Sequence, residues 1–591
     1  MPRAYSAVDD GAPGGAAPAV EARAAPRAYV AEGALEAPTA GNGAPAPRAY
    51  AAVDDAQSDE TTPRELRAFY LIDVANSVYS TVGIGGFLPL LIQSAAQASA
   101  GFPAACANVF TNATAAEWPF LPAPAPGDFF FRAAGAGGAR GGCGGGAPAC
   151  FNGVCAGLPA TLGECRDAAG GAEAALRTRG ALAVDPTAFA TLAITASVVL
   201  QAAAFLLLGP LADRGGARKR ILLAASAVGA AACAGALLVT PATFWVGLPV
   251  AIITNVAFGV SGVMMNAFLP LLAAALPEVR AAPPAARGAL EAARAADISS
   301  RGFAAGYAAG VAGILLCVPL VAALPELDAY RAALCVTGAW WGLFMIPVAR
   351  WLRARPGPPM PAGATALSEA ARSLAATLHD LRGLPGTRTY LLLWALFSDG
   401  VFLVGTIGGL YAASRVEWPC SLPKAAGVLL VFLLCPLFAA AFNILYMKLA
   451  ARLAAPPERM LVAMLVIIGA TVPAAGFAGI KTGPQIIAVA CVWAAHMGAM
   501  QASSRAVFAS LVPRGKEAAF FSLYELTNRG SSFVGPLVLT TSLAATGGYA
   551  WAFSYVCLAC FGGAAGVFLL DVPAAQAAAA APAEAAPAAA A

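Results

Sequence analysis

The sequence predicts an all-α polytopic membrane protein: twelve transmembrane helices in two six-helix halves. Apolar runs of about 20 residues recur along the chain, each long enough to cross ~30 Å of hydrocarbon at ~1.5 Å per residue. Of its 591 residues, 59% are hydrophobic and only 12% are charged, with a net charge of +4. Mean hydropathy is +0.70, more apolar surface than a soluble domain can hide. The cations, finally, fall in short loops after every second run.

The elements follow in order. Residues 1–66 repeat "PRAYSAVDD", "PRAYVAEGA" and "PRAYAAVDD". That Ala, Pro and Gly composition buries too little apolar area to offset ordering entropy, so a disordered tail is expected. It lacks the Leu-rich core of a signal peptide, and its acids argue against a transit peptide. The first half, 67–350, carries spans near 69–92, 187–208, 221–240, 246–270, 302–323 and 332–350. A polar loop, 351–388, separates it from the second half, 389–571. There spans fall near 389–411, 426–447, 460–478, 485–508, 519–543 and 549–570, and 572–591 reads as a second disordered tail.

Loops after spans 2, 4, 6, 8 and 10 hold most of the Lys and Arg, which places both termini in the cytosol. The loop 94–185 then lies on the opposite side with Cys106, Cys143, Cys150, Cys155 and Cys165, and Cys420 faces the same compartment. Six such cysteines suggest disulfides, whose connectivity the sequence leaves open. "NAT" at Asn112 is a glycosylation sequon on that side. No His/Cys spacing fits zinc, no phosphate loop appears and none of the six cysteines on that side sits in a CxxC pair. Neither a metal, a cofactor nor a catalytic constellation is expected. The basic balance is explained by topology, so nucleic acid is no expected partner; membrane lipid is.

Ionisable residues inside a span cost a few kcal/mol on insertion scales and ask for a function. Span 1, "FYLIDVANSVYSTVGIGGFLPLLI", aligns Asp73, Asn76, Ser77 and Ser80 on one face. Span 7 carries Ser398 and Asp399 about ten residues in, near mid-membrane. Span 11 places Glu525 and Arg529 four apart, where they can neutralise each other or bind ligand. Arg301 in "DISSRGFAAGYAAG" and Arg505 in "ASSRAVFASLVPR" complete the set. His496, Trp340, Trp341 and Trp394 read as packing or interfacial residues.

The halves echo each other: "DISSRGFAAGYAAG" with "ELTNRGSSFVGP", and a mid-helix Asp in spans 1 and 7. Parallel six-span repeats describe a secondary transporter. "GPLADRGGARKR", residues 209–220, resembles the signature loop of the major facilitator superfamily. That resemblance implies a cytosolic charge latch made by Asp213, Arg214, Arg218 and Lys219. "ELRAFYLIDVANSVYSTVGIGGFLPLLI", "NAFLPLL", "ISSRGFAAGYAAG", "LFSDG" and "MQASSRAVFASLVPRGKEAAFFSLYELTNRGSSFVGPLV" resemble, more narrowly, the autophagy-related vacuolar effluxer family. The match runs over roughly 64–571, with the long Cys-bearing first loop a departure from it.

The resemblance implies alternating-access efflux of neutral amino acids, leucine among them, from vacuole to cytosol, across a multi-pass vacuolar membrane protein. A zwitterion needs donors for its carboxylate and an anion for its ammonium. Arg529, Arg505 or Arg301 fit the first need; Asp73, Asp399 or Glu525 fit the second or carry a coupling proton, with Asn76 on the same polar face. Two alternatives stay open: a transporter of sugars or other organic solutes, and a transport-inactive scaffold. Oligomeric state is not legible.

Overall fold

A computed structural model describes residues 60–99, 150–151, 154–155, 189–419 and 424–581. The sequon at Asn112, Cys106, Cys143, Cys165, Cys420 and the tail up to 59 lie outside them. Cys150–Phe151 and Val154–Cys155 pair as two-residue antiparallel strands. All other regular structure among the described residues is helical.

The first half comprises α1 (Pro63–Ser99), α2 (Phe189–Ala212), α3 (Ala217–Ala234), α4 (Gly247–Ala274), α5 (Pro284–Ala323) and α6 (Glu326–Trp351). A linker helix α7 (Ala366–Gly383) follows. The second half comprises α8 (Pro385–Ser414), α9 (Lys424–Leu453), α10 (Pro457–Ala478) and α11 (Gly483–Ser510). Then come α12 (Glu517–Ser531), α13 (Val534–Thr546), α14 (Ala550–Leu569) and α15 (Val572–Ala580). Among the described residues, eleven helices are long and apolar enough to cross a membrane. The twelfth expected span, 519–543, is instead broken between α12 and α13, at Ser532–Phe533.

Within the first half α1 packs on α5 and α6, and α4 on α2 and α3. In the second, α8 packs on α12 and α14, and α11 on α9 and α10. The halves meet where α2 lies along α12 and where α5 lies along α9 and α11. Aromatic layers fill each core: Tyr79 lies 5.2 Å from Trp341, and Trp394 stacks flat on Tyr524 at 4.6 Å. Trp340 donates to the Val74 carbonyl at 3.0 Å, and His496 packs its ring against Tyr446, so these residues serve packing as expected.

Three expected loops correct to structure. The tail assigned to 1–66 ends early, because Thr62 caps α1 ahead of Pro63 and accepts from the Glu65 amide at 3.3 Å. Thr61 and Glu65 are buried. The loop 351–388 contains α7, started by a capping box between Thr365 and Ser368. The tail 572–591 begins with α15, capped by Asp571 and seated on Val572, Ala575 and Ala579. Ala-rich sequence is low in complexity yet high in helix propensity, and one buried stripe suffices to hold it.

Candidate transport site

Polar groups gather in two layers on the side of the bundle that carries the 213–216 turn, called here the hairpin side. In the outer layer α2 ends at Ala212 and the chain reverses through Gly215, whose φ of +51° suits glycine. The turn aims Asp213 across the half-to-half boundary at the first turn of α12. Its Oδ1 accepts from the Ala518 amide at 2.9 Å and its Oδ2 from Ala519 at 2.9 Å. Arg218 donates to Asp213 at 2.6 Å and to Glu517 at 2.9 Å. Burial, opposed chiefly by Arg218, pushes the Asp213 carboxyl up to about 6.

The linker doubles this layer. Arg214 reaches Glu369 of α7 at 2.7 Å, and Lys516 pairs with Asp380. A hydrogen bond from Ser373, with Arg214 beside it, holds the Glu369 carboxyl below the usual range. Lys219, by contrast, donates to the Ala349 carbonyl at 2.8 Å within its own half. Sequence reasoning missed Glu65 and Arg355. Arg355 sits at a φ of +44°, a strained setting for a non-glycine. It is fixed there by Glu65 at 2.8 Å and the Thr61 hydroxyl at 2.9 Å.

The inner layer centres on Arg505 of α11, 2% exposed. Its guanidinium donates to the Ser299 hydroxyl at 2.9 Å, the Asn266 side chain at 3.2 Å and Asp73 at 3.5 Å. Phe303 covers it at 4.3 Å and Phe69 at 5.5 Å. All those partners belong to the other half. Gly302 makes the approach possible, since a Cβ there would run into the Asp73 carboxylate. The cost of burying this charge is met by a carboxylate, neutral acceptors and ring faces together.

Next to it Asn266 donates to Glu525 at 3.1 Å. Glu525 and Arg529 make no direct ion pair; Glu525 accepts from Asn266 instead, with the Arg529 charge still near it. The Arg529 Nε is buried and finds no hydrogen-bond partner among the described residues. Glu525, Asn528, Arg529 and Ser532 share one face of α12, directly below the break.

Three candidates sit apart from this cluster. Arg301 is half exposed and pairs with Asp297 at 3.0 Å. Asn76 accepts from Ser261 at 3.2 Å inside its own half. Asp399 is 4% exposed and accepts from the Tyr555 hydroxyl at 2.6 Å. Gly400 beside it serves close packing, since a Cβ there would meet Ala559 of α14.

Two helical halves, joined by a linker and facing each other through matched positions, define a major facilitator fold. The chain superposes on the crystal structure of the human organic anion transporter MFSD10 (TETRAN) with a TM-score of 0.56 at 14% identity, covering 86% of this chain and 100% of that one. Residues 61–580 match the family described as "Vacuole effluxer Atg22 like", and the chain belongs to it. It is 27% identical over 434 residues to Autophagy-related protein 22 of Neurospora crassa, covering 62% of this chain and 58% of that relative. Against Autophagy-related protein 22 of Yarrowia lipolytica it is 27% identical over 423 residues, covering 60% of this chain and 71% of that relative.

Proposed function

We propose that the chain is a secondary transporter of the vacuolar membrane that moves neutral amino acids from lumen to cytosol by alternating access. The hairpin side faces the cytosol and carries both termini. Arg529 takes the substrate carboxylate and Glu525 its ammonium. Asp73 and Arg505 neutralise each other across the halves and serve as the inner gate. Asp213, Arg214 and Arg218, with Glu517 and Glu369, form the outer one.

One observation carries the choice of site. Of the three arginines the sequence offers, Arg505 is already saturated and Arg301 is half exposed and paired with Asp297, whereas Arg529 keeps a buried donor with no partner among the described residues. A buried guanidinium donor is costly to leave unmade, and a carboxylate is the group it fits best. The helix break beside it follows the habit of transporter sites built on discontinuous helices.

Uptake of labelled leucine, glutamate and glucose into sealed vesicles tests the reading. Leucine is expected to be carried. Arg529→Lys and Glu525→Gln each should lower apparent affinity by about tenfold or more, as loss of a charge-assisted bond implies. Transport of glucose alone, or leucine transport indifferent to both substitutions, would refute it.

A further inference from the structure

The two pieces of the broken span end on different anchors. The first turn of α12 is gripped by Asp213, which belongs to the other half. The first turn of α13 is gripped within its own half. The Tyr555 hydroxyl of α14 donates to the Asp399 carboxylate at 2.6 Å, and Gly535 packs so closely on it that a Cβ there would lie 3.1 Å from the Asp399 Oδ2. A Cβ built on Gly535 would lie 3.2 Å from the Leu403 Cβ, so α13 rests directly on α8.

The break is satisfied rather than torn. Ser532 donates to the Arg529 carbonyl at 2.7 Å and Ser531 to the Asn528 carbonyl at 3.3 Å, using acceptors that the missing helical turn leaves free. The Asp399 carboxylate has no ion pair among the described residues; it accepts from a phenol and lies against the first turn of α13, where a helix N-terminus favours negative charge.

We propose that Asp399 and Tyr555 are positioning residues for transport. They pin α13 as a fixed abutment, and α12, carrying Glu525 and Arg529, swings about Ser532–Phe533 when the hairpin releases its other end. The proposal rests on the reading of Glu525 and Arg529 as the substrate site.

The test uses the full chain in vesicles with tritiated leucine. Asp399→Asn should leave equilibrium binding within about twofold of the parent while turnover per folded molecule falls about tenfold, the signature of a lost step rather than lost binding. Tyr555→Phe, which keeps the carboxylate, should fall between. Binding lost in step with transport would place Asp399 in the ligand site instead. Unchanged turnover in both variants would remove its positioning role.

A second arm does not depend on the solute. Leu403→Cys with Gly535→Cys can be joined by oxidation, since their Cβ atoms lie near disulfide range. Ser522→Cys, buried between α12 and α2, reports hairpin-side opening through its maleimide reactivity. With α13 tied down, that opening should persist. Opening abolished by oxidation and restored by reduction would overturn the hinge, whatever Arg529→Lys does to leucine.

Discussion

Arg218 offers one charge to two carboxylates, Asp213 and Glu517, and that imbalance sets how the outer gate answers to pH. The closed gate holds the Asp213 carboxyl near 6, raised mainly by burial. Once opened and hydrated it returns toward about 4. Closure therefore takes up a proton. Its contribution is fully present below the ordinary carboxylate range and is lost as pH rises through 6. The maleimide rate of Ser522→Cys, divided by that of a freely exposed cysteine at the same pH to remove thiol ionisation, should accordingly be lower at pH 5.5 than at 7.5, and a flat ratio would dismiss the titration. Asp213→Asn should flatten that profile and loosen the gate. The carboxamide NH2 would face the Ala519 amide, a buried donor left unpaired at about 1–3 kcal/mol. Asp213 was legible in the sequence because a short local motif carries it. The Asp73–Arg505 pair was not: both residues stood out as charges in apolar runs, but their meeting spans 432 positions. No periodicity encodes such a contact.

At the scale of elements, α7 joins the gate from outside the bundle. Glu369 ties it to the first half through Arg214, and Asp380 ties it to the second through Lys516. Opening toward the cytosol must break one of these ties. Glu369 is fully buried, so its pair with Arg214 escapes most of the screening that empties surface salt bridges of value. Glu369→Gln combined with Asp380→Asn should raise the cytosolic reactivity of Ser522→Cys by several-fold at normal protein level. An unchanged rate would make α7 a bystander. The sequence reading missed this helix because "SEAARSLAATLHDLRG" is polar over most of its surface and lies between proline-rich stretches. Most spans were legible, since about 20 apolar residues have few other uses in a chain. The broken span was not, because hydropathy runs on through "RGSSFVGPLVLTT" while the backbone does not. Its paired serines and Pro536 were the available signal.

For the whole molecule, the two sides of the bundle differ in what joins the halves. On the hairpin side Asp213, Arg218, Arg505 and Arg514 all reach across, the last to Glu291 at 3.2 Å. On the other side the polar contacts of the described loops stay within a half. Ser94 meets Glu326, Arg331 meets the Val239 carbonyl, Arg415 meets the Gly547 carbonyl, and Glu417 bonds Lys481. The bundle is thus closed on the hairpin side, and the alternating access proposed above requires every crossing contact to part together. Gly209 marks the tightest of those crossings, since a Cβ there would lie 2.7 Å from the Ser522 Cβ and 3.0 Å from the Ala518 carbonyl. Gly209→Cys with Ser522→Cys should form a disulfide after the helices part by about 1 Å, the difference from ordinary Cβ–Cβ spacing. The oxidised protein should still bind leucine from the lumenal side with unaltered stoichiometry, because Arg529 and Glu525 lie beyond the seal, yet it should carry none across. Reduction should restore transport. The Leu403–Gly535 disulfide is expected to leave transport running, so the two cross-links read opposite ends of one broken helix. Transport that continues with Gly209 and Ser522 joined would mean that α2 and α12 never separate, and the cytosolic gate would have to be sought elsewhere in the bundle.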